Sequence, residues 1–240
     1  MAVFLLLSIW VSWRKVWANV ESADWTILST AFGVYLVSCF LAAAQWIILV
    51  KALNLAISTR SMLALYGIGL YFNNFLPTNI GGDVYKGFRV AKLSNQPEAT
   101  AATIIVDRFL GVFTVLIIPA LACGLLDGFP TWAAGALWAT VIVPVVIFFS
   151  FTNRSKRFLY GAFDRLLPRA ARRSAHGLFD ALFTYQDRRF ALLTAFATAV
   201  AVQLLRIVMM ILIAVAMDVE IPGIFFFVII PIVGVVSAVL

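Results

Sequence analysis

Long apolar runs alternate with short polar breaks along this chain. Five runs are long enough to cross a bilayer: Trp25–Val50, Ala99–Leu126, Trp132–Phe151, Phe190–Met217 and Ile224 to the end. A spanning helix needs roughly 20 apolar residues. Two further runs, Met1–Trp13 and Ser61–Leu76, are too short for ordinary spans. The first lacks the basic start and small-residue cleavage site of a signal peptide, so it reads as a clipped span. The pattern predicts an all-α, polytopic transmembrane helical bundle of about six to seven membrane segments. Residues 1–240 then form a single integral membrane domain, with no soluble catalytic domain beside it.

Composition agrees. Of 240 residues, 63% are hydrophobic and 12% charged, and the mean hydropathy is +1.02. A soluble domain has about a quarter of its residues charged. A secreted or cytosolic globular enzyme is thereby excluded. The formal charge of +7 reads as a topology signal and as affinity for anionic headgroups, with no nucleic-acid partner implied. Two cysteines in apolar stretches and one histidine give no metal site, and no cofactor is expected.

Charge sets the orientation. The loop Thr152–Arg189 carries nine Lys or Arg against Asp164, Asp180 and Asp187. The positive-inside rule places this loop, 152–189, in the cytoplasm of a multi-pass protein of the plasma (inner) membrane. Its apolar spacing at Phe158, Ala162 and Leu166, and at Leu178, Leu182 and Tyr185, suggests amphipathic helices on the inner leaflet. A solvated topogenic loop fits equally. Asn95, Pro97 and Glu98 mark the start of the next-to-middle span, with Asn95 as its cap. If Lys51 and Arg60 share a side with Lys86, Arg89 and Lys92, then Ser61–Leu76 enters and leaves on one face as a re-entrant helix. If they lie outside, it is a short span; the shortness of the run and the Pro and Gly residues at its end favour the re-entrant form.

Three polar signals stand out within the apolar background. The first runs from Tyr71 to Lys86 and contains Asn73, Asn74, Pro77, Gly81, Gly82 and Asp83. Non-helical backbone at membrane depth must be buried or line a wet cavity, and broken helices build substrate sites in transporters. Gly81 and Gly82 permit N–H groups to converge on an anion, and Lys86 and Arg89 add charge, so a phosphate suits the place. The same residues would also serve a plain turn at the membrane surface. The second signal is Asp107-Arg108, roughly 15 Å along its helix, near mid-bilayer. Charges at that depth are costly and are either functional or paired within the bundle. The third is Gln203 with Arg206, the latter about 18 Å from the outer end of its run. Matched depth suggests an Asp107–Arg206 contact that leaves Arg108 for substrate. Gln45-Trp46 is weaker, with Trp46 read as an interfacial anchor.

Taken together, Phe72 to Asp83, Lys86, and Asp107-Arg108 with Gly111 resemble the transmembrane region of lysylphosphatidylglycerol synthases and their stand-alone flippase-like relatives. The shared pattern is aromatic-Asn-Asn-x-Leu-Pro-x-x-Ile-Gly-Gly-Asp, a basic residue, then Asp-Arg-x-x-Gly. The family usually has Arg where this chain has Lys86, and Arg-Trp where it has Gln45-Trp46. Lys keeps the charge but lacks the bidentate fork. A later Pro- and Gly-rich motif ending in Arg-Glu is approached only by Pro231–Leu240, so the chain reads as a truncated family domain.

The resemblance implies a flippase-like protein that translocates or handles an anionic phospholipid or polyprenyl-linked lipid between leaflets. Its substrate would meet Asn73, Asn74, Pro77, Gly81, Gly82, Asp83, Lys86, Asp107, Arg108 and Arg206. The alternatives are the membrane part of a lysylphosphatidylglycerol synthase system, or an accessory subunit of a membrane glycosyltransferase. With no soluble transferase domain in the chain, the expectation is a non-enzyme.

Overall fold

The computed structural model describes residues 17, 20–75, 81–124, 132, 134–135, 138–142 and 168–239. Among them there is no strand. The expected segments Met1–Trp13 and Trp132–Phe151 lie outside the described residues wholly or largely, as do Pro77 and the first half of the basic loop.

Helix α1 spans Trp25–Ala52. Asp24 caps it, its Oδ1 accepting from the Thr26 and Ile27 amides at 2.8 and 3.2 Å, which satisfies donors that a helix start otherwise leaves unpaired. Lys51 complements the negative end of the dipole in the last turn. The helix is apolar on every side. Phe32 and Phe40 are 61% and 68% exposed, as expected where acyl chains rather than water cover the surface.

Helices α2 (Thr59–Phe75) and α3 (Gly81–Ser94) form an antiparallel hairpin. Asn73 meets Gly82 near its tip, and Gly69 meets Lys86 further down. The Phe72 and Tyr85 rings sit 4.9 Å apart between the two helices. Asn95, at φ 55°, ends α3 in the left-handed conformation that Asn tolerates. Asn95 was expected to cap the following helix. Instead Gln96 holds that position, without a side-chain bond, and Pro97 opens α4, Pro97–Cys123.

Helix α5 (Arg169–Asp187) turns through Arg188 into α6 (Arg189–Ala216). A short 3-10 turn, Gly223–Phe225, leads to α7, Phe226–Val239, which packs on α4. Helices α1, α4 and α6 are long and apolar enough to cross a membrane.

α1 and α6 run antiparallel along their length. At one end the Asp24 amide donates to the Ala216 carbonyl at 3.0 Å, and at the other Leu49 packs with Ala195. Small buried residues, Ala31 and Ala43 on α1 and Ala195 and Ala199 on α6, allow close approach. α1 lies between two cores. Trp46, Val50, Met62, Leu65 and Val90 join it to the hairpin. Leu49, Ala102, Val106, Tyr185 and Ala199 join it to α4, α5 and α6.

The apolar face of α5 packs against protein, contrary to the expectation of a helix lying on lipid. Leu178 and Leu182 lie against the second core. Tyr185 is buried and donates to the Leu49 carbonyl at 2.9 Å. Burial, with the Asp107 charge adding to it, pushes the Tyr185 phenol up, so the hydroxyl stays a donor. At the other end of α5, Ser174 Oγ donates to Glu98 Oε1 at 3.2 Å. A solvated loop is therefore excluded for Arg169–Asp187.

These contacts gather the end of α1, both ends of the hairpin, the start of α4 and all of α5 at one end of the bundle. That end carries Lys51, Arg60, Lys92, Arg172, Arg173, Arg188 and Arg189. The opposite end carries Asp24, Asp218 and Glu220, with no Lys or Arg among the described residues there. The hairpin thus enters and leaves on the same side, as the re-entrant reading requires.

Candidate functional site

The hairpin tip brings charge into the middle of the bundle. Asp83 sits in the first turn of α3, where a carboxylate suits the positive end of the helix. Its Oδ1 lies 2.7 Å from Lys86 Nζ, one turn along. Its Oδ2 takes the Arg108 guanidinium of α4 through both Nε and Nη2. Arg108 stands eleven residues into α4 by sequence, about 16 Å from the helix start. A helix that begins at such depth needs an internal partner for each polar group. The Gly82 amide finds one in Asn73 Oδ1, at 2.8 Å.

Lys86 is buried, at 5% exposure. Its ammonium lies 5.0 Å from the centroid of Trp46 and 4.6 Å from that of Tyr66. Ring quadrupoles and the Asp83 carboxylate together replace its hydration. Lys86 therefore holds the hairpin to α1, and it is not placed as the open phosphate contact expected of it. Trp46, read as an interfacial anchor, is fully buried and belongs to the core. Neither Trp46 nor Tyr66 was singled out as part of a charged site. The signal available was a Tyr and a Trp in otherwise aliphatic runs.

The expected Asp107–Arg206 contact does not form. Asp107 Oδ1 accepts from Gln45 Nε2 at 2.9 Å, which ties α4 to α1. Arg206 is exposed. It remains near enough for its charge to act on Asp107, Arg108, Tyr66 and Tyr35. Among the described residues it has no carboxylate within ion-pair distance. Arg108, expected to be unpaired, is the residue that meets Asp83, yet 45% of its side chain stays exposed. Gln203 is buried in α6.

Asn73, Gly82, Asp83, Lys86 and Arg108 thus come together, with Asp107 and Gln45 on the α1 side. Gly81 opens α3. The expectation of non-helical backbone through this stretch is not met at Tyr71–Asn74 or from Gly81 onward, which are helical. Pro77 lies outside the described residues, and Asn74 is described only as part of α2. The Gly82 amide was expected to face an anion. It is taken by Asn73, and the glycine is required by space. A Cβ at Gly82 would overlap the Gly69 carbonyl and come within 2.6 Å of Asn73 Oδ1. Among the described residues, no group of three or more His, Cys, Asp or Glu could hold a metal.

Residues 1–240 match the family described as the lysylphosphatidylglycerol synthase TM region. A UPF0104 membrane protein of Pyrococcus horikoshii is 27% identical over 121 residues, covering 49% of this chain and 36% of that protein. A UPF0104 membrane protein of Methanothermobacter thermautotrophicus is 27% identical over 135 residues, covering 54% of this chain and 40% of its own length. The matched region is thus about two-fifths or less of each of these relatives. No solved structure matches the chain.

Proposed function

Because this chain belongs to the lysylphosphatidylglycerol synthase transmembrane-region family, we propose that it carries an anionic phospholipid or lipid-linked headgroup between leaflets. The observation that supports this reading is the half-exposed Arg108, held by Asp83 at the tip of a re-entrant hairpin. A phosphate headgroup crosses hydrocarbon only at high cost. Guanidinium groups do not face acyl chains at that depth without cost either, and in membrane proteins they line polar paths or pair within the bundle. The exposed Arg206 adds a second positive charge on the Arg108 side of α6, and guanidinium suits phosphate oxygens. The basic end faces the cytoplasm of the plasma membrane in this reading.

Purified protein in liposomes containing a fluorescent anionic phospholipid tests it. Leaflet exchange, followed by quenching of the outer leaflet, should exceed that of empty liposomes. Arg108→Gln leaves Asp83 paired with Lys86 and so spares the fold. It should slow exchange at least about tenfold, the effect of losing one charge-assisted contact of about 1.5–3 kcal/mol. Exchange no faster than in empty liposomes would sink the proposal.

A further inference from the structure

A second basic site lies at the cation-rich end, apart from the hairpin tip. A cavity of about 490 Å³ opens where the end of α1, the end of α5 and the start of α6 converge. Its origin is local. Only Arg188 separates α5 from α6, so the chain turns a sharp corner there, and the Tyr185–Leu49 bond pins that corner to α1. On the other side the chain leaves α1 through Asn54, at φ 56°. The space left between the two corners is lined on its polar side by Lys51, Arg188, Arg189 and Asp187, and on its apolar side by residues such as Ile48 and Phe190.

Three cations against one carboxylate leave two positive charges in this cavity. Among the described residues, none of the three cations is ion-paired, to Asp187 or to any other carboxylate. All three are exposed, and a cluster of exposed like charges at a membrane surface draws anions to it. Lys51 is in the last turn of one candidate span and Arg189 is the first residue of another. The cavity therefore sits where hydrocarbon gives way to water, the depth of lipid phosphates. Phe190 on the cavity wall and Leu193, three residues further along the same face of α6, are 85% and 65% exposed. They offer an apolar surface running from the cations toward the bilayer centre.

We propose that this cavity binds the phosphodiester headgroup of an anionic phospholipid from the adjacent leaflet, with an acyl chain lying along Phe190 and Leu193. The site does not depend on the translocation reading, since a bound lipid there would hold α5 and α6 to α1 whether or not lipid crosses. A free phosphate would satisfy the cations but leave the apolar track uncovered.

The test places a reporter in the cavity. The Phe190→Trp variant, in nanodiscs, is compared with the parent protein using lipids brominated on the acyl chain. Brominated phosphatidylglycerol diluted into zwitterionic lipid should quench the added fluorescence at least threefold more efficiently than brominated phosphatidylcholine at the same fraction. Lys51→Gln together with Arg189→Gln should erase the difference. Should that pair disturb folding, Lys51→Gln alone, an exposed residue, should at least halve it. A large excess of inorganic phosphate should leave the preference in place. Equal quenching by the two lipids, a preference that survives loss of the cations, or displacement by inorganic phosphate would each overturn the assignment. None of these outcomes bears on leaflet exchange, which Arg108→Gln reads separately.

Discussion

Asp83 ties two helices together through one side chain. One carboxylate pairs with both Lys86, on its own helix, and Arg108, on the next. Removing one partner of a buried pair costs about 3–5 kcal/mol, because the charge left behind has no solvent. Asp83→Asn should therefore lower the thermal unfolding midpoint in detergent sharply. Adding Lys86→Met, which removes the orphaned ammonium at similar volume, should restore part of the loss. A double variant no more stable than Asp83→Asn would show that Lys86 was not the charge left stranded. The sequence marked Asp107 and Arg108 as costly charges in an apolar run, and Asp83 and Lys86 as members of the polar Asn/Pro/Gly stretch, each readable one residue at a time. Their pairing was not. A rise of about 1.5 Å per residue gives the depth of a side chain but not the side of the helix it leaves from, which turns by about 100° at each step. Asp107 and Arg206 share a depth, yet Asp107 meets Gln45 instead.

The hairpin of α2 and α3 is held by close backbone approach as well as by charge. A Cβ at Gly69 would lie 2.9 Å from two Lys86 methylenes and 3.2 Å from the Gly82 carbonyl oxygen. At Gly82 it would meet the Gly69 carbonyl directly. Gly82→Ala should cost about 1–3 kcal/mol, the range for overpacking a tight contact. Gly67→Ala, in α2 with nothing within 4 Å of its Cβ, should be neutral or gain up to about 1 kcal/mol from helix propensity. Equal melting behaviour for the two variants would show that the helices are not in contact at Gly82. The docking of α5 is open to a similar measurement. Tyr185→Phe removes the bond to the Leu49 carbonyl, worth about 0.5–1.5 kcal/mol, and should speed proteolysis within Arg169–Asp187 in the folded protein. Unchanged cleavage would detach α5 from that contact. The spacing of Leu178, Leu182 and Tyr185 made α5 legible as amphipathic. An apolar stripe says only that something must cover it, and lipid and protein are alike to such a stripe. Contact with Leu49 and Ala195 decided for protein.

At the scale of the bundle, charge divides the ends among the described residues. The hairpin makes a topological prediction that differs from that of a simple span. With Cys39 and Cys123 replaced by Ala, single cysteines at Arg60 and Lys92 should react with an impermeant thiol reagent from the same side of the membrane. One at Glu220 should react from the other. Labelling of Arg60→Cys and Lys92→Cys from opposite sides would make the hairpin a span. The chain's own letters determined that it is an all-helical membrane protein, where α1, α4 and α6 run, and which residues carry charge into the apolar interior. Those features follow from local hydropathy and from the length a helix needs, both of which sum along the chain. Only the tertiary structure decided that the short Ser61–Leu76 run folds back with Gly81–Ser94, that Arg108 rather than Arg206 meets a carboxylate, and that Lys51, Arg188 and Arg189 surround one cavity. Those outcomes depend on which faces of separate helices meet, and in a bilayer nearly every face is apolar enough to meet any other. A few small residues and buried charges, far apart in sequence, make the choice.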